Sequence, residues 1–271
     1  MRIALVGDVH LRWTEEDSRA VDALGYDLVL FVGDLADRLH RRTLDVARAI
    51  STLRTRALLV PGNHDATTPL GVLAEALGVG LRRPGAGRRS LRRIDRLQAA
   101  LGPVALAGYT THALPGLTIV AGRPHGMDGR RVTFADAIEA RFGLSTMAAS
   151  SRRLRDLVDA TEGPLAFLAH NGPYGLGGEP DAPFSHGGRD LGDPDLTDAI
   201  EHARRSGRAV AAVMAGHLHH DGRDRRWLVE RDGTAYVNAA RVPRTSGEAR
   251  RHVEIRVDAG RARVREVVLP G

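Results

Sequence analysis

The chain has 271 residues, of which 42% are hydrophobic and 27% charged, values typical of a globular protein with a substantial buried core. It contains no cysteine, which excludes disulfides and thiolate metal sites, so any metal ion has to be held by His, Asp, Glu or Asn. No stretch approaches the ~20 apolar residues that cross a bilayer, and no signal peptide precedes the first strand, so we expect a cytoplasmic protein without membrane contact. The net charge is +6, but acidic and basic residues are intermixed, which does not favour nucleic acid as a partner.

Short apolar runs in the first third of the chain predict three buried strands, at Ile3–Val6, Leu28–Val32 and Ala57–Val60. The segments near 15–24 and 43–54 between them have helical periodicity. This alternation predicts a βαβαβ arrangement with parallel strands.

The middle of the chain continues the pattern, and the end departs from it. Further strands are predicted at Val104–Ala107, Leu117–Ala121, Leu165–Ala169 and Ala209–Met214, with helices near 146–160 and 195–205. Four antiparallel strands are predicted at the end of the chain, Arg226–Arg231, Thr234–Asn238, His252–Val257 and Ala262–Val268, with a hairpin turn in the sequence RDGT. Without a repeat or a long linker, the chain is predicted to be one α/β domain over residues 1–271 with two sheets.

Five of the predicted strands are followed by Asp, Asn or His, residue types that can bind metal ions. The sequences at these ends are GDVH (7–10), GD (33–34), PGNHD (61–65), AHNGP (169–173) and AGHLHH (215–220). An Asp at such a place is often only a helix cap or a turn residue, and a single His is often a surface group. Together, however, two Asp, one Asn and five His would meet at one sheet edge, where ligands bind in open α/β sheets.

These motifs resemble the calcineurin-like metallophosphoesterase superfamily, whose signature D-x-H, GD, GNH(D/E), His and GHxH is present here in order. The similarity extends from residue 3 to about residue 240. The strings HNGPYGLG, GDPDL, GHLHH and VNAARVPR are also similar to a subgroup found in cyanobacteria, plastids and other bacteria, which brings no known substrate. The resemblance implies a four-layer αββα sandwich with two mixed sheets flanked by helices.

By the same resemblance, two divalent transition-metal ions share one site. Asp8, His10, Asp34 and His219 would hold one ion, and Asp34, Asn63, His170 and His217 the other, with Asp34 bridging. A hydroxide bridging the two ions would attack the phosphorus, and the net positive charge would suit an anionic phosphoryl group. Nitrogen and oxygen ligands suit Mn²⁺, Fe or Zn²⁺, of which we favour Mn²⁺.

The residues after Asn63 match the catalytic part of the family motif. His64 would protonate the leaving oxygen or stabilise its charge, and Asp65 would orient His64 unless it is only a turn residue.

Candidate substrate contacts lie outside the motifs. The Gly- and Pro-rich segment 171–194 is long for a loop, which favours a functional role. The candidates are Tyr174, His186 and Arg189 in that segment, Arg123 and His125 in GRPHG, and Arg241 near the end of the motif region. The Arg-rich segment 82–96 is predicted to be a solvated helix entry and loop.

The leading functional hypothesis is an enzyme that hydrolyses a small-molecule phosphate mono- or diester. Two alternatives remain open: a nuclease that uses the same centre, with the Arg-rich segment as its electrostatic footprint, and a non-catalytic scaffold on the same fold. A scaffold would be expected to lack some ligands, whereas none is missing here.

Overall fold

The computed structural model describes residues 1–35, 40–66, 69–78, 86–220, 225–241, 243 and 249–269. The strands in the described residues are β1 (Arg2–Val6), β2 (Leu28–Phe31), β3 (Ala57–Leu59), β4 (Ala105–Leu106), β5 (Thr110–Leu114), β6 (Leu117–Ala121), β7 (Leu165–Leu168), β8 (Ser185–His186), β9 (Arg189–Asp190), β10 (Val210–Ala215), β11 (Leu228–Arg231), β12 (Thr234–Asn238), β13 (Arg250–Asp258) and β14 (Arg261–Leu269). The helices are α1 (Glu15–Ala23), α2 (His40–Ser51), α3 (Asn63–Ala66), α4 (Pro69–Ala76), α5 (Ala86–Leu101), α6 (Ala135–Phe142), α7 (Met147–Asp159) and α8 (Pro194–Arg205).

The strands form two six-stranded mixed sheets and one two-stranded hairpin, β8–β9. The first sheet has the order β14-β13-β1-β2-β3-β4, in which β1 to β4 run parallel and the last two strands of the chain pair antiparallel. The second sheet has the order β11-β12-β10-β7-β6-β5, in which the four inner strands are parallel and both edge strands are antiparallel. The carboxyl ends of the parallel strands are where functional loops emerge in such sheets.

Among the described residues, three large apolar clusters hold the layers together. One lies between the sheets and joins residues such as Leu5 and Leu30 of the first sheet to Leu168 and Met214 of the second. The second cluster covers the other face of the first sheet with α1, α2 and α5, and the third covers the other face of the second sheet with α6, α7 and α8. The chain therefore has the predicted four-layer αββα architecture.

Most predicted elements are present within one to three residues of their predicted bounds. Leu117–Ala121 and Thr234–Asn238 match their strands without any shift. The RDGT hairpin is also confirmed, since Asp232 and Gly233 both have positive φ, as the favoured two-residue turn requires.

Other predictions need correction. The end of the chain is not purely antiparallel, because β12 pairs antiparallel with β11 but parallel with β10. The elements that were not predicted from the sequence are β5, the helices α3, α4 and α6, and the hairpin β8–β9. The first four residues of the Arg-rich segment 82–96 lie outside the described residues, and the rest of it forms the first two-thirds of α5. No helix in the described ranges combines the length and the hydrophobicity needed to cross a membrane.

Candidate metal centre

The polar residues that follow the strands meet at one edge of the sandwich, at the carboxyl ends of parallel strands from both sheets. Hydrogen bonds between main-chain atoms join these loops: the His10 amide donates to the Asp34 carbonyl at 2.8 Å, and the Gly216 amide donates to the His170 carbonyl at 2.8 Å. Because neighbouring strands end at the same level, residues that are distant in sequence come within contact distance.

The first cluster consists of Asp8, His10 and His219, after β1 and β10. Their candidate ligand atoms all lie within 4.8 Å of one another. The Nε2 atom of His219 is 3.0 Å from Oδ2 of Asp8 and 3.0 Å from Nε2 of His10. Asp8 is fully buried, and the two imidazoles are partly exposed. One carboxylate oxygen and two imidazole nitrogens therefore converge on one small volume.

The second cluster consists of Asp34, His170 and His217, after β2, β7 and β10, and it meets the same distance criterion. The side chain of Asn63, after β3, extends this cluster, with its Oδ1 atom 2.8 Å from Nε2 of His170. Main-chain carbonyls orient both rings. His170 donates from Nδ1 to Val32, and His217 donates from Nε2 to the carbonyl that follows GRPHG, at 3.1 Å. Each ring thereby keeps its other nitrogen for a ligand.

Asp34 lies between the two clusters. Its Oδ2 atom is 3.6 Å from Nε2 of His170 in one cluster and 3.9 Å from Nε2 of His10 in the other. Its Oδ1 atom accepts a hydrogen bond from the His64 amide at 2.9 Å. A single carboxylate therefore reaches both groups of ligand atoms.

The backbone is strained where it presents these side chains. His10, Asp34 and His217 have positive φ angles of 41°, 50° and 74°, which are uncommon for residues other than glycine. Close approach also requires a glycine at position 62, where a Cβ atom would lie 2.2 Å from Oδ1 of Asp34 and 2.7 Å from Cε1 of His170. Such local strain is typical of functional sites.

The electrostatics of the two carboxylates favour cation binding. Burial by itself raises the pKa of Asp8, but the hydrogen bond from His219 and the neighbouring imidazoles outweigh it, so the pKa lies well below its ordinary value. The pKa of Asp34 is lowered in the same way despite burial, with His170 as the main favourable charge. Both carboxylates are therefore ionised at neutral pH.

The pKa values of His217 and His170 shift in opposite directions. Burial lowers the pKa of His217 to about 4, with the charge of His170 adding to the effect. Burial also acts to lower the pKa of His170, but Asp34 and Asp8 more than compensate and raise it above its ordinary value. A proton on His170 would compete with a metal ion, because the negative charges of Asp8 and Asp34 attract both.

The donor set fits divalent transition-metal ions. It contains two ionised carboxylates, one amide oxygen and four imidazoles, all of which are ligands for ions such as Mn²⁺, Fe or Zn²⁺. The convergence of two imidazole nitrogens on one carboxylate oxygen in the first cluster matches what such an ion requires.

His64 lies beside the clusters without belonging to either of them. Its ring centroid is 5.4 Å from that of His10, at an angle of 84°. The Nδ1 atom of His64 is buried and has no hydrogen-bond partner among the described residues. The neighbouring Asp65 accepts a hydrogen bond from the Gly62 amide at 2.9 Å through Oδ2, so its carboxylate closes the turn that carries Asn63.

Arg123 and His125, two of the candidate substrate contacts, are buried. Arg123 is 1% exposed, and its guanidinium pairs with Asp193 at 2.8 Å and Asp195 at 3.0 Å. This structural ion pair argues against the expected contact between Arg123 and a substrate phosphate. His125 is 3% exposed and donates from Nδ1 to the Gly62 carbonyl at 2.7 Å, and burial lowers its pKa to about 4. His125 therefore supports the turn that carries Asn63, which differs from the direct substrate contact that we expected.

The other candidates lie nearer the surface. Tyr174 is 52% exposed, and His186 and Arg189 are exposed and face each other across the hairpin β8–β9. Arg241 is half-buried and forms an ion pair with Glu266 at 2.7 Å, so a substrate would have to compete with this carboxylate.

Most arginines in the described part of the Arg-rich segment lie on the exposed side of α5. Arg88, Arg89, Arg92 and Arg96 are exposed, and Arg93 is partly buried. The exposed positions agree with the prediction of a solvated surface.

Some groups at the site were not identified from the sequence. The carbonyls of Val32 and Met127, which orient His170 and His217, belong to residues whose side chains are irrelevant to the contact. Asn238, at the end of β12, is fully buried, and its side chain bonds to the loop that carries His217 and His219. The signal available in the sequence for Asn238 was a polar residue at the end of the predicted strand Thr234–Asn238.

The convergent His, Asp and Asn residues lie in two groups that could hold metal ions. Residues 1–221 match the family described as calcineurin-like phosphoesterase, and the chain belongs to this family. It is therefore a phosphoester hydrolase of a family that uses divalent metal ions.

Solved structures share the fold at low sequence identity. TT1561 of Thermus thermophilus matches with 13% identity and a TM-score of 0.55, covering 97% of both chains. A dimetal phosphatase from Danio rerio matches with 13% identity and a TM-score of 0.54, covering 100% of this chain and 98% of that one. The NAD nucleotidase of Haemophilus influenzae matches with 11% identity and a TM-score of 0.52, covering 100% of this chain and 50% of that one. A comparison with curated proteins gave no significant match.

Proposed function

We propose that the chain is a dinuclear metallophosphoesterase with one catalytic domain over residues 1–271. In this proposal Asp8, His10, Asp34 and His219 hold one ion, and Asp34, Asn63, His170 and His217 hold the other. The observation that carries it is the position of Asp34, whose Oδ2 atom lies within 4 Å of an imidazole nitrogen in each cluster. A carboxylate in this position can serve as a ligand of both ions of a two-metal site.

The metal ions, when bound, would activate a water molecule for attack and stabilise the charge on the phosphoryl oxygens. We favour Mn²⁺, with Fe or Zn²⁺ as the alternatives that the nitrogen and oxygen ligands also suit. Two divalent ions would bring four positive charges, and Asp8 and Asp34 contribute only two negative ones. The remaining ligands are neutral, so the site stays attractive to an anionic phosphoester.

The proposal includes a proton donor, His64. Its ring lies next to the first cluster, and its backbone amide is held by Asp34. We assign His64 to protonation of the leaving oxygen, which is the step that an alkyl leaving group needs most. Asp65 acts in this account by holding the turn through the Gly62 amide, and so keeps His64 in place.

The favoured substrate is a small-molecule phosphate mono- or diester. Tyr174, His186 and Arg189 are the exposed side chains of segment 171–194, directly after the ligand His170, that we propose as substrate contacts. The phosphatase and nucleotidase named among the structures of the same fold act in the same reaction class.

The test is an activity panel on the purified protein loaded with Mn²⁺. It contains alkyl and aryl phosphomonoesters, phosphodiesters, cyclic nucleotides and short DNA and RNA. We expect metal-dependent turnover of a small phosphoester with mild dependence on salt. A nuclease would instead cleave DNA or RNA with turnover that falls steeply with salt, because phosphate contacts by Arg displace counterions. Metal binding without any turnover on the panel would contradict the proposed enzyme and favour a scaffold.

A further inference from the structure

Asn238 is a buried amide that joins three segments of the site. It ends β12, is 0% exposed, and lies in parallel register beside Ala215. Ala215 directly precedes residues 216–219, which we call the GHLH turn. Its Nδ2 atom donates to the Leu218 carbonyl at 2.8 Å and to the Pro183 carbonyl at 2.7 Å. Its Oδ1 atom accepts from the Ala240 amide at 2.9 Å.

These partners match the chemistry of an amide side chain. A primary amide offers two donors and an acceptor, and here two carbonyls and one N–H group use them. Asp at this position would have no donor, and Ser would have only one. The contacts are also short, and all of them are to main-chain atoms, so they hold backbone in place.

The Leu218 carbonyl lies in the backbone between two proposed ligands, His217 and His219. His217 precedes it in a turn with φ of 74°, and His219 follows it. The two imidazoles belong to different clusters, His217 to the second and His219 to the first. A single bond from Asn238 to Leu218 therefore acts on the direction of one ligand in each cluster.

The neighbouring backbone extends this control to the first strand. The Ala239 amide donates to the Ala215 carbonyl at 2.7 Å. The Ala239 carbonyl lies so close to Gly7 that a Cβ atom there would approach it within 1.5 Å. Gly7 directly precedes Asp8, so the segment that Asn238 begins is packed between the two loops of the first cluster.

We propose that Asn238 is a positioning residue that sets the metal affinity of both sites at once, through the orientation of the GHLH turn. This inference rests on the proposed dinuclear centre. Partners outside the ligand sphere commonly change metal affinity by about 10–100-fold when they are removed. We expect a loss of this size at both sites in Asn238→Ala, with a smaller loss in Asn238→Ser, which keeps one donor.

The matched control is Thr234→Val, at the other end of the same strand. Thr234 is 1% exposed and donates to the Val210 carbonyl at 2.7 Å, so the variant also loses a buried hydrogen bond in β12. A merely structural role would make the Asn238 and Thr234 variants behave alike. Both are expected to lower the unfolding midpoint of the metal-free protein, and only the Asn238 variants are expected to change metal binding.

The experiment is a calorimetric titration of the metal-free full chain with Mn²⁺, together with thermal unfolding of each variant. The inference is supported if both affinities fall in Asn238→Ala, fall less in Asn238→Ser and stay within twofold in Thr234→Val. It is overturned if a folded Asn238 variant keeps wild-type affinities, or if Thr234→Val loses them equally. If Asn238→Ala does not fold, Asn238→Ser decides between these outcomes. Failure of the wild-type chain to bind Mn²⁺ would instead refute the proposed dinuclear centre, on which this inference depends.

Discussion

Replacement of His64 by Ala separates the proton donor from the metal centre. The backbone amide of His64 donates to Oδ1 of Asp34, and Ala keeps this bond, so the shared carboxylate stays in place. The imidazole contributes no ligand atom to either cluster, and its Nδ1 atom bonds to none of the described residues. The variant should therefore lose a proton donor while it retains metal content and fold.

The expected loss in turnover is about 10²–10⁴-fold, the usual contribution of a general acid. This corresponds to about 3–5 kcal/mol of transition-state stabilisation at about 1.4 kcal/mol per factor of ten. The loss should be larger for alkyl phosphodiesters than for p-nitrophenyl esters, because an aryl oxide leaves without much help from an acid.

Turnover of both substrates is measured at saturating Mn²⁺, with metal content determined on the same samples. His202→Ala is the control, since this surface histidine pairs with Asp159 on the outside of α7 and α8. Two results would refute the reasoning. Equal losses for alkyl and aryl substrates would exclude proton donation as the role of His64, and loss of metal would make it a ligand.

Three further substitutions follow from the structure. Asp34→Asn should weaken the Mn²⁺ affinity of both sites by at least about 10-fold, because the shared carboxylate loses its charge, whereas Asp65→Asn should keep both affinities. Calorimetric titration with Mn²⁺ measures these affinities, and a loss at one site alone would contradict the bridging role. Gly62→Ala should impair metal binding and turnover in a chain that still folds, because the added Cβ atom would lie 2.2 Å from Oδ1 of Asp34. Circular dichroism checks the fold and metal analysis checks the site, and a normal metal content would argue against the close packing. Burial lowers the pKa of His252 to about 4, below its unfolded value, so protonation favours the unfolded state and stability falls as the pH drops from about 6.5 towards 4. Urea unfolding at pH 7 and pH 5 should show that the wild-type protein loses about 2 kcal/mol more than His252→Gln, and equal losses would show that His252 is not a neutral buried group.

The position of the site could be predicted from the sequence because it depends on a simple rule of parallel sheets. Each apolar run ends where a polar motif begins, and the carboxyl ends of neighbouring parallel strands meet at one edge. Asp8, Asp34 and His170 follow three such runs, and the structure brings them together. The order of strands across the sheets was not readable in the same way, since β12 lies between a parallel and an antiparallel neighbour.

The surroundings of the site were harder to predict, because they depend on tertiary contacts. Arg123 comes just after the predicted strand Leu117–Ala121, which favoured a phosphate contact, but it is buried in ion pairs with Asp193 and Asp195, which are distant in sequence. The orientation of His170 depends on a main-chain carbonyl, and any residue type at position 32 could supply one. The role of Asn238 depends on the parallel pairing of β12 with β10, which places it beside the GHLH turn.

The metal content of the wild-type chain tests the central claim most directly. The protein is freed of metal with a chelator, incubated with Mn²⁺, passed through a desalting column and analysed for metal and protein on the same sample. The account predicts close to two ions per chain, because two clusters share the Asp34 carboxylate. A chain that binds no metal after incubation, or that saturates at one ion, would contradict the dinuclear centre.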